Sequence, residues 1–114
     1  MNTFETVKQA IEKRKPISFN YNKMGAISYR VANPYVIYIF VSKAGEQSTK
    51  VDVVQTGGDS ESKDKNPLPS FRSFLAIEDI THVEILENEV SFGEPLHPDY
   101  KPDSDRYENP LAKI

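Results

Sequence analysis

Two arginines lie beside aromatic residues in strand-like segments, and they are the side chains of this sequence best suited to bind an anion. Arg30 lies four residues before Pro34, and Arg72 stands between Phe71 and Phe74. A guanidinium group can donate paired hydrogen bonds to a phosphate while a neighbouring ring stacks on a base. The alternative is that both arginines point outward and pair with Asp or Glu across a sheet. The residues alone favour this alternative.

A glycine pair, Gly57-Gly58, precedes a segment rich in charge and serine. Bare backbone N–H groups can cradle an anion, but a glycine pair in a loop usually marks a turn that needs a positive φ. Asp59-Ser60 follows the pair, where a phosphate-binding loop would have Lys followed by Ser or Thr. The glycine pair therefore favours a turn over an anion-binding site.

The sequence lacks the residue patterns of an enzyme or a metal site. It has no cysteine, which excludes disulfides, thiolate metal sites and a cysteine nucleophile. The two histidines, His82 and His97, belong to no metal-ligand pair, and no nucleophile elbow or phosphate loop is present. We predict a protein that is not an enzyme, with no catalytic residues, no metal and no cofactor.

Length and charge indicate one ordinary domain with an uneven surface. The chain has 114 residues, enough for a single core. Residues 1–30 carry six Lys/Arg and two Glu, whereas residues 78–114 carry three Lys/Arg and ten Asp/Glu. This asymmetry fits a basic binding face with an acidic tail, although a solvated surface is the commoner cause. With no membrane-length apolar run and no signal peptide, we expect a cytoplasmic protein without membrane contact.

Hydrophobic periodicity predicts one helix near the N-terminus. Apolar residues recur at helical spacing from Phe4 to Ile11. Asn2 and Glu5 form a capping-box pattern at the start, and Pro16 ends the helix because it cannot continue the hydrogen-bonded turn. We therefore predict a helix over 3–14.

Alternating apolar and polar residues then predict short strands. Their phase places Phe19, Val31 and Val53 in the core. We expect Asn33-Pro34 to separate two strands and residues 56–70 to form a long, poorly ordered loop. The predicted strands are 17–21, 27–31, 35–42, 50–55, 71–77 and 82–87.

These elements predict a mainly β, α+β fold over residues 1–88, with an N-terminal helix on a strongly bent antiparallel sheet of about five strands. A small barrel and a single bent sheet are both compatible with this pattern. Residues 89–114 are rich in proline and acid and have no periodicity, which predicts an extended arm whose acids compete with an anionic ligand. The side chains expected to pin the arm, on this chain or on a second subunit, are Phe92, Tyr100, Tyr107 and Leu111.

The order of motifs over residues 4–87 resembles the WYL domain family. The matching elements are Ala-Ile-x-x-Arg at 10–14, Phe-x-Tyr at 19–21, Arg-Val-x-x-Pro at 30–34, Arg-x-Phe at 72–74 and Ile-x-x-Val at 80–83. The Trp-Tyr-Leu tripeptide that names the family is absent, and Val51-Asp52-Val53 takes its place by order. Asp79 replaces a basic residue of the family. One helix precedes the first strand, where regulators of the family carry a helix-turn-helix.

The resemblance implies an Sm-like, SH3-type barrel that acts as a ligand-sensing module in bacterial transcription regulation. Its positively charged patch would bind a single-stranded nucleic acid or a nucleotide. The alternative is a protein-interaction or oligomerisation module that lacks the ligand and works as a homo-oligomer or with a regulatory partner protein. The predicted ligand-binding residues are Tyr21, Arg30, Gln55, Gly57, Gly58, Arg72 and Phe74.

Overall fold

The computed structural model of the chain describes residues 2–59, 67–76 and 78–114. Within these ranges the chain forms one α-helix, six β-strands and a short 3₁₀ turn. The elements are α1 (Thr3–Lys13), β1 (Ile17–Lys23), β2 (Ala26–Val41), β3 (Gln47–Gly58), β4 (Ser70–Leu75), β5 (Ile80–Ile85), the 3₁₀ turn (Asp105–Tyr107) and β6 (Pro110–Lys113).

The helix α1 forms where the sequence predicts it. Asn2 caps its N-terminus, because the side-chain oxygen accepts a hydrogen bond from the Glu5 N–H at 2.8 Å. The helix ends at Lys13, since Arg14 adopts the left-handed conformation with a φ of 55° and Pro16 follows. Its apolar face packs on the sheet and forms part of the main core.

All six strands belong to one antiparallel sheet, in the order β4-β3-β2-β1-β5, and β6 pairs with β2 beyond the end of β1. The edge strands β4 and β5 are consecutive in the chain. The Asp79 N–H donates to the Leu75 carbonyl at 3.2 Å, so the end of β4 lies close to the start of β5. The edges of a flat five-strand sheet would be about 19 Å apart. The sheet is therefore strongly bent, as predicted, but its described strands do not close into a barrel.

The sheet buries side chains on both faces. The inner face carries the main core, which α1 covers. The outer face carries a second, mostly aromatic cluster beneath the C-terminal arm (89–114). The main core contains Val7, Ala10, Ile11, Ile17, Phe19, Ala32, Ile37, Val51, Val53, Phe74, Ala76 and Ile80. The outer cluster contains Tyr35, Val36, Tyr38, Val54, Tyr100 and Tyr107.

The first half of β2 has the opposite phase from the one predicted. Arg30 lies directly opposite Phe19, and residues opposite each other share a face, so Arg30 faces the core. Phe19 and Val53 are buried as predicted, but Val31 lies half-buried on the other face. The prediction for Val31 is wrong because apolar alternation alone does not allow for an arginine that finds hydrogen-bond partners inside.

Two predicted boundaries are also wrong. The chain does not break at Asn33-Pro34, because β2 continues through Pro34 as a single strand of 16 residues. The pairing of β2 with β3 shifts register between Pro34 and Val36, which accommodates a residue without an N–H. The loop predicted over 56–70 begins later than expected, since β3 extends to Gly58. Residues 60–66 of that loop lie outside the described residues.

The C-terminal arm docks on its own chain. Tyr100 and Tyr107 are buried on the outer cluster, and Phe92 and Leu111 are half-buried, so the four predicted pinning residues all make apolar contacts. The arm also contains regular structure that the sequence did not indicate, namely the 3₁₀ turn and β6. The strand β6 covers the part of the β2 edge that β1 leaves open.

Candidate anion-binding site

Arg30 lies on the inner face of β2 with only 3% of its surface exposed. Its Nη1 donates to Gln55 Oε1 at 3.0 Å, and its Nε donates to Ser28 Oγ at 3.1 Å. The guanidinium carbon lies 5.0 Å from the ring centroid of Tyr21 and 5.7 Å from that of Phe74, within the range of cation–π attraction. The alternative in which Arg30 points outward is therefore wrong.

The register of the sheet extends these polar contacts toward Arg72. Gln55 lies directly opposite Ser70 across β3 and β4, so their side chains share a face. Ser70 Oγ accepts a hydrogen bond from Arg72 Nε at 2.7 Å. We call the four side chains Arg30, Gln55, Ser70 and Arg72 the polar row. It crosses three strands on one face, and Arg72 at its end is half-buried rather than fully buried.

Arg72 also lines a cleft between β4 and the C-terminal arm. The rings of Phe71 and His97 lie nearly parallel there, at an angle of 24° with centroids 6.0 Å apart. The Asp99 N–H donates to His97 Nδ1 at 3.1 Å, so Nδ1 is an acceptor and the ring N–H lies at Nε2. The cleft has a volume of about 340 Å³ and is lined by Pro67, Pro69, Ser70, Phe71, Arg72, His97 and Asp99.

The glycine pair lies at the end of β3 beside Arg30, not in a loop. Gly58 pairs with Arg30 and has a φ of +84°, and a Cβ at this position would lie 2.3 Å from the Tyr29 carbonyl oxygen. Close approach of two strands and a positive φ are sufficient physical reasons for glycine here. The neighbouring Gly57 uses its carbonyl to accept a hydrogen bond from Gln55 Nε2 at 3.1 Å.

Most of the predicted ligand-binding residues surround Arg30, and Arg72 is the member that lines the cleft. Tyr21 is half-buried, and its ring packs edge-on against Phe74 with centroids 4.8 Å apart. Phe74 belongs to the main core, so its ring supports Arg30 and is not exposed for stacking on a base. Sequence reasoning did not find Ser70, His97 and Asp99 as site residues. The last two reach the cleft only through docking of the arm, which no local pattern encodes.

A second polar cluster, which sequence reasoning also did not find, lies between the sheet and the arm. Asp52 is fully buried, with 0% of its surface exposed. Its Oδ1 accepts hydrogen bonds from the Tyr38 hydroxyl at 2.9 Å and from the Ser73 hydroxyl. Its Oδ2 accepts one from the Tyr107 hydroxyl at 2.6 Å and lies 3.6 Å from Arg106 Nε. These five residues form the Asp52 cluster. Burial, followed by the nearby carboxylate, raises the pKa of Tyr38 to about 12.

The chemistry that this arrangement offers is hydrogen-bond donation to an anion. Arg72 supplies a charged fork, Ser70 a hydroxyl and His97 a ring N–H at Nε2. Over the described ranges, no group of three or more His, Asp or Glu side chains is placed to hold a metal ion. None of the helical structure in those ranges has the length and apolar character needed to cross a bilayer.

Comparison of the chain with protein-family models, curated proteins and solved structures gave no match.

Proposed function

We propose that this chain is a binding module for a phosphate-bearing ligand, either a nucleotide or a short single-stranded nucleic acid. The observation that carries the proposal is the position of Arg72, which lines the cleft and lies on the same face as Arg30. Guanidinium groups donate short, charge-assisted hydrogen bonds to phosphate oxygens. The half-buried setting favours such a bond, because water screens charge less there than at an open surface.

The sequence and the fold both support a module of the WYL type. The motif order over residues 4–87 resembles that family, and a helix packed on a bent antiparallel sheet is compatible with it. The closeness of the end of β4 to the start of β5 supports the finer hypothesis of an open variant of an Sm-like, SH3-type barrel. In this hypothesis the module works in the cytoplasm of a bacterium and takes part in transcription regulation.

Binding by this site depends on local charge, because the whole chain carries a net charge of −3. Asp99 adds a carboxylate to the cleft that opposes an anion, whereas Arg72 attracts one. We therefore expect weak binding that falls as salt rises, since each phosphate contact releases counterions. Asp99 therefore lowers the affinity for a phosphate-bearing ligand without abolishing binding.

The test is fluorescence anisotropy with a short labelled oligothymidylate at low and moderate salt. Arg72→Ala is expected to weaken binding by roughly 1–3 kcal/mol, the value of a charge-assisted hydrogen bond, and to flatten the salt dependence. Lys43→Ala is the matched control, because it removes one exposed positive charge at the β2–β3 turn, the opposite end of β3. Equal affinity of the wild type and the Arg30/Arg72 double alanine variant would refute the proposal.

A second candidate function is protein interaction, and the β1–β2 hairpin favours it. Met24, Ile27 and Tyr29 expose 98%, 68% and 52% of their surfaces. Grouped apolar side chains in water often mark a contact site. Sedimentation velocity over a range of concentrations would test self-association through this hairpin. Association that a Met24→Ser/Ile27→Ser variant abolishes supports this function, and a monomer at every concentration counts against homo-oligomerisation.

A further inference from the structure

The Asp52 carboxylate joins the sheet to the C-terminal arm, and each of its oxygens serves one side. Oδ1 accepts hydrogen bonds from Tyr38 on β2 and Ser73 on β4. Oδ2 accepts one from Tyr107 and lies beside Arg106, both in the 3₁₀ turn of the arm. A second link parallels the first, because Arg106 Nη2 donates to Ser73 Oγ at 3.3 Å.

The two sides that Asp52 joins are also the two walls of the cleft. On the sheet side, Ser73 is the chain neighbour of Arg72. On the arm side, the ring of Tyr107 lies against that of Tyr100, with centroids 5.9 Å apart. The Tyr100 N–H in turn donates to the His97 carbonyl at 3.0 Å. The buried carboxylate thus connects to the sheet wall through Ser73, the neighbour of Arg72. It connects to the arm wall through Tyr107 and then Tyr100, whose N–H bonds to His97.

Packing alone does not explain why the fold buries the Asp52 carboxylate. An apolar side chain would avoid the desolvation of a carboxylate, which is why replacing buried ion pairs by apolar residues is often neutral or stabilising. A carboxylate with four partners instead fixes directions, because hydrogen bonds weaken steeply away from linear geometry. Among the described residues, no buried side-chain nitrogen or oxygen lacks a hydrogen-bond partner. The Asp52 cluster is therefore able to hold the arm in one orientation.

We infer that Asp52 is a positioning residue for the cleft, an inference that rests on the proposed function. Asp52 does not contact the ligand, since it is fully buried. By anchoring Tyr107 and Arg106 it holds His97 and Asp99 at a fixed separation from Arg72. A phosphate-bearing ligand that touches both walls then meets a preorganised site and does not have to order the arm when it binds.

The test uses the full chain with Tyr107→Phe and Ser73→Ala, each of which removes one donor to Asp52, and the double variant. Tyr100→Phe is the control, because its hydroxyl also lies in the arm but donates to the Ile114 carbonyl at 2.9 Å. Affinity for AMP is measured well below the melting temperature. The nuclear Overhauser effect between the rings of Phe71 and His97 is measured without ligand, as a direct report on the two walls.

Tyr107→Phe is expected to weaken AMP binding by roughly fivefold, the equivalent of one hydrogen bond, and to reduce the Phe71–His97 effect. Ser73→Ala should act in the same direction, and the double variant should lose less than the product of the two single losses because both act through one carboxylate. Tyr100→Phe should change affinity by less than twofold. If Tyr107→Phe fails to fold, Ser73→Ala and the control carry the comparison.

Two contrary results are distinguishable. If Tyr107→Phe and Ser73→Ala lower only the melting temperature, and leave both AMP affinity and the ring-to-ring signal unchanged, Asp52 has a structural role alone and the inference is overturned. If the wild type binds neither AMP nor the oligothymidylate, the proposed function fails. In that case a reduced ring-to-ring signal in Tyr107→Phe still supports the positioning of the arm by Asp52, and an unchanged signal rejects it.

Discussion

Replacing Asp52 by alanine is expected to destabilise the fold more than any single surface substitution. The variant removes the acceptor of the Tyr38 and Tyr107 hydroxyls, both of which belong to buried residues. It also leaves Arg106, whose side chain is 40% exposed, to find water as its partner. The two phenols are therefore the main source of the effect, because they cannot reach water without local rearrangement.

The expected size follows from these contacts. A buried donor that loses its acceptor costs about 1–3 kcal/mol, so two phenols give roughly 2–6 kcal/mol. Asp52→Asn is expected to lose less, since the amide keeps one acceptor oxygen for one of the two phenols.

Urea unfolding followed by far-UV circular dichroism measures this change, since the chain has no tryptophan and tyrosine emission would itself be altered in the variants. The informative control is Asp52→Ala in a Tyr38→Phe/Tyr107→Phe background, where no phenol remains to be left unpaired. The loss should then shrink to less than half of its value in the wild type. A loss below about 1 kcal/mol in the wild-type background, or the same loss in both backgrounds, would contradict the reasoning.

Three further predictions follow from the same geometry. Burial, followed by the Asp52 carboxylate, raises the pKa of Tyr38 and Tyr100 to about 12. The free energy of unfolding should therefore be full below pH 10, the pKa of a phenol in the unfolded chain, and fall as pH rises toward 12. Unfolding measured over this alkaline range should show a smaller fall for Tyr38→Phe than for the wild type, by on the order of 2–3 kcal/mol. Gly58→Ala should destabilise the fold by roughly 2 kcal/mol more than Gly25→Ala in urea unfolding. Both glycines have a positive φ, but of the two only Gly58 would place a Cβ against neighbouring backbone atoms. Asp99→Asn should strengthen AMP binding by roughly two- to fivefold in calorimetric titration, because it removes a negative charge from the cleft. Unchanged or weaker binding would count against an anion site in this cleft.

Local patterns account for what the sequence predicts correctly. The helix follows from its cap, its apolar spacing and its stop signal, all within 16 residues. The antiparallel strands follow from alternation and turns, and Phe19 and Val53 are buried as that alternation requires. Pro34 misled the prediction because a register shift admits a proline inside a paired strand, and such a shift leaves no signature in composition.

The remaining features depend on contacts between distant parts of the chain. The phase of β2 is set by Arg30, whose burial requires Gln55 25 residues away. Asp52 was visible as an acid between two valines, but its partner Tyr107 lies 55 residues further along. An acid in an apolar strand is a signal that a donor must exist, since an unpaired buried carboxylate is costly. It does not say which residue supplies that donor.

Amide chemical-shift mapping of the wild-type chain during an AMP titration tests the proposed binding site. The expected result is a set of saturable shifts centred on Ser70, Phe71, Arg72 and His97, absent in Arg72→Ala and retained in Lys43→Ala. Shifts centred instead on the basic end of α1, at Lys13–Lys15, or the absence of any saturable shift at low salt, would contradict a phosphate-binding site at this cleft.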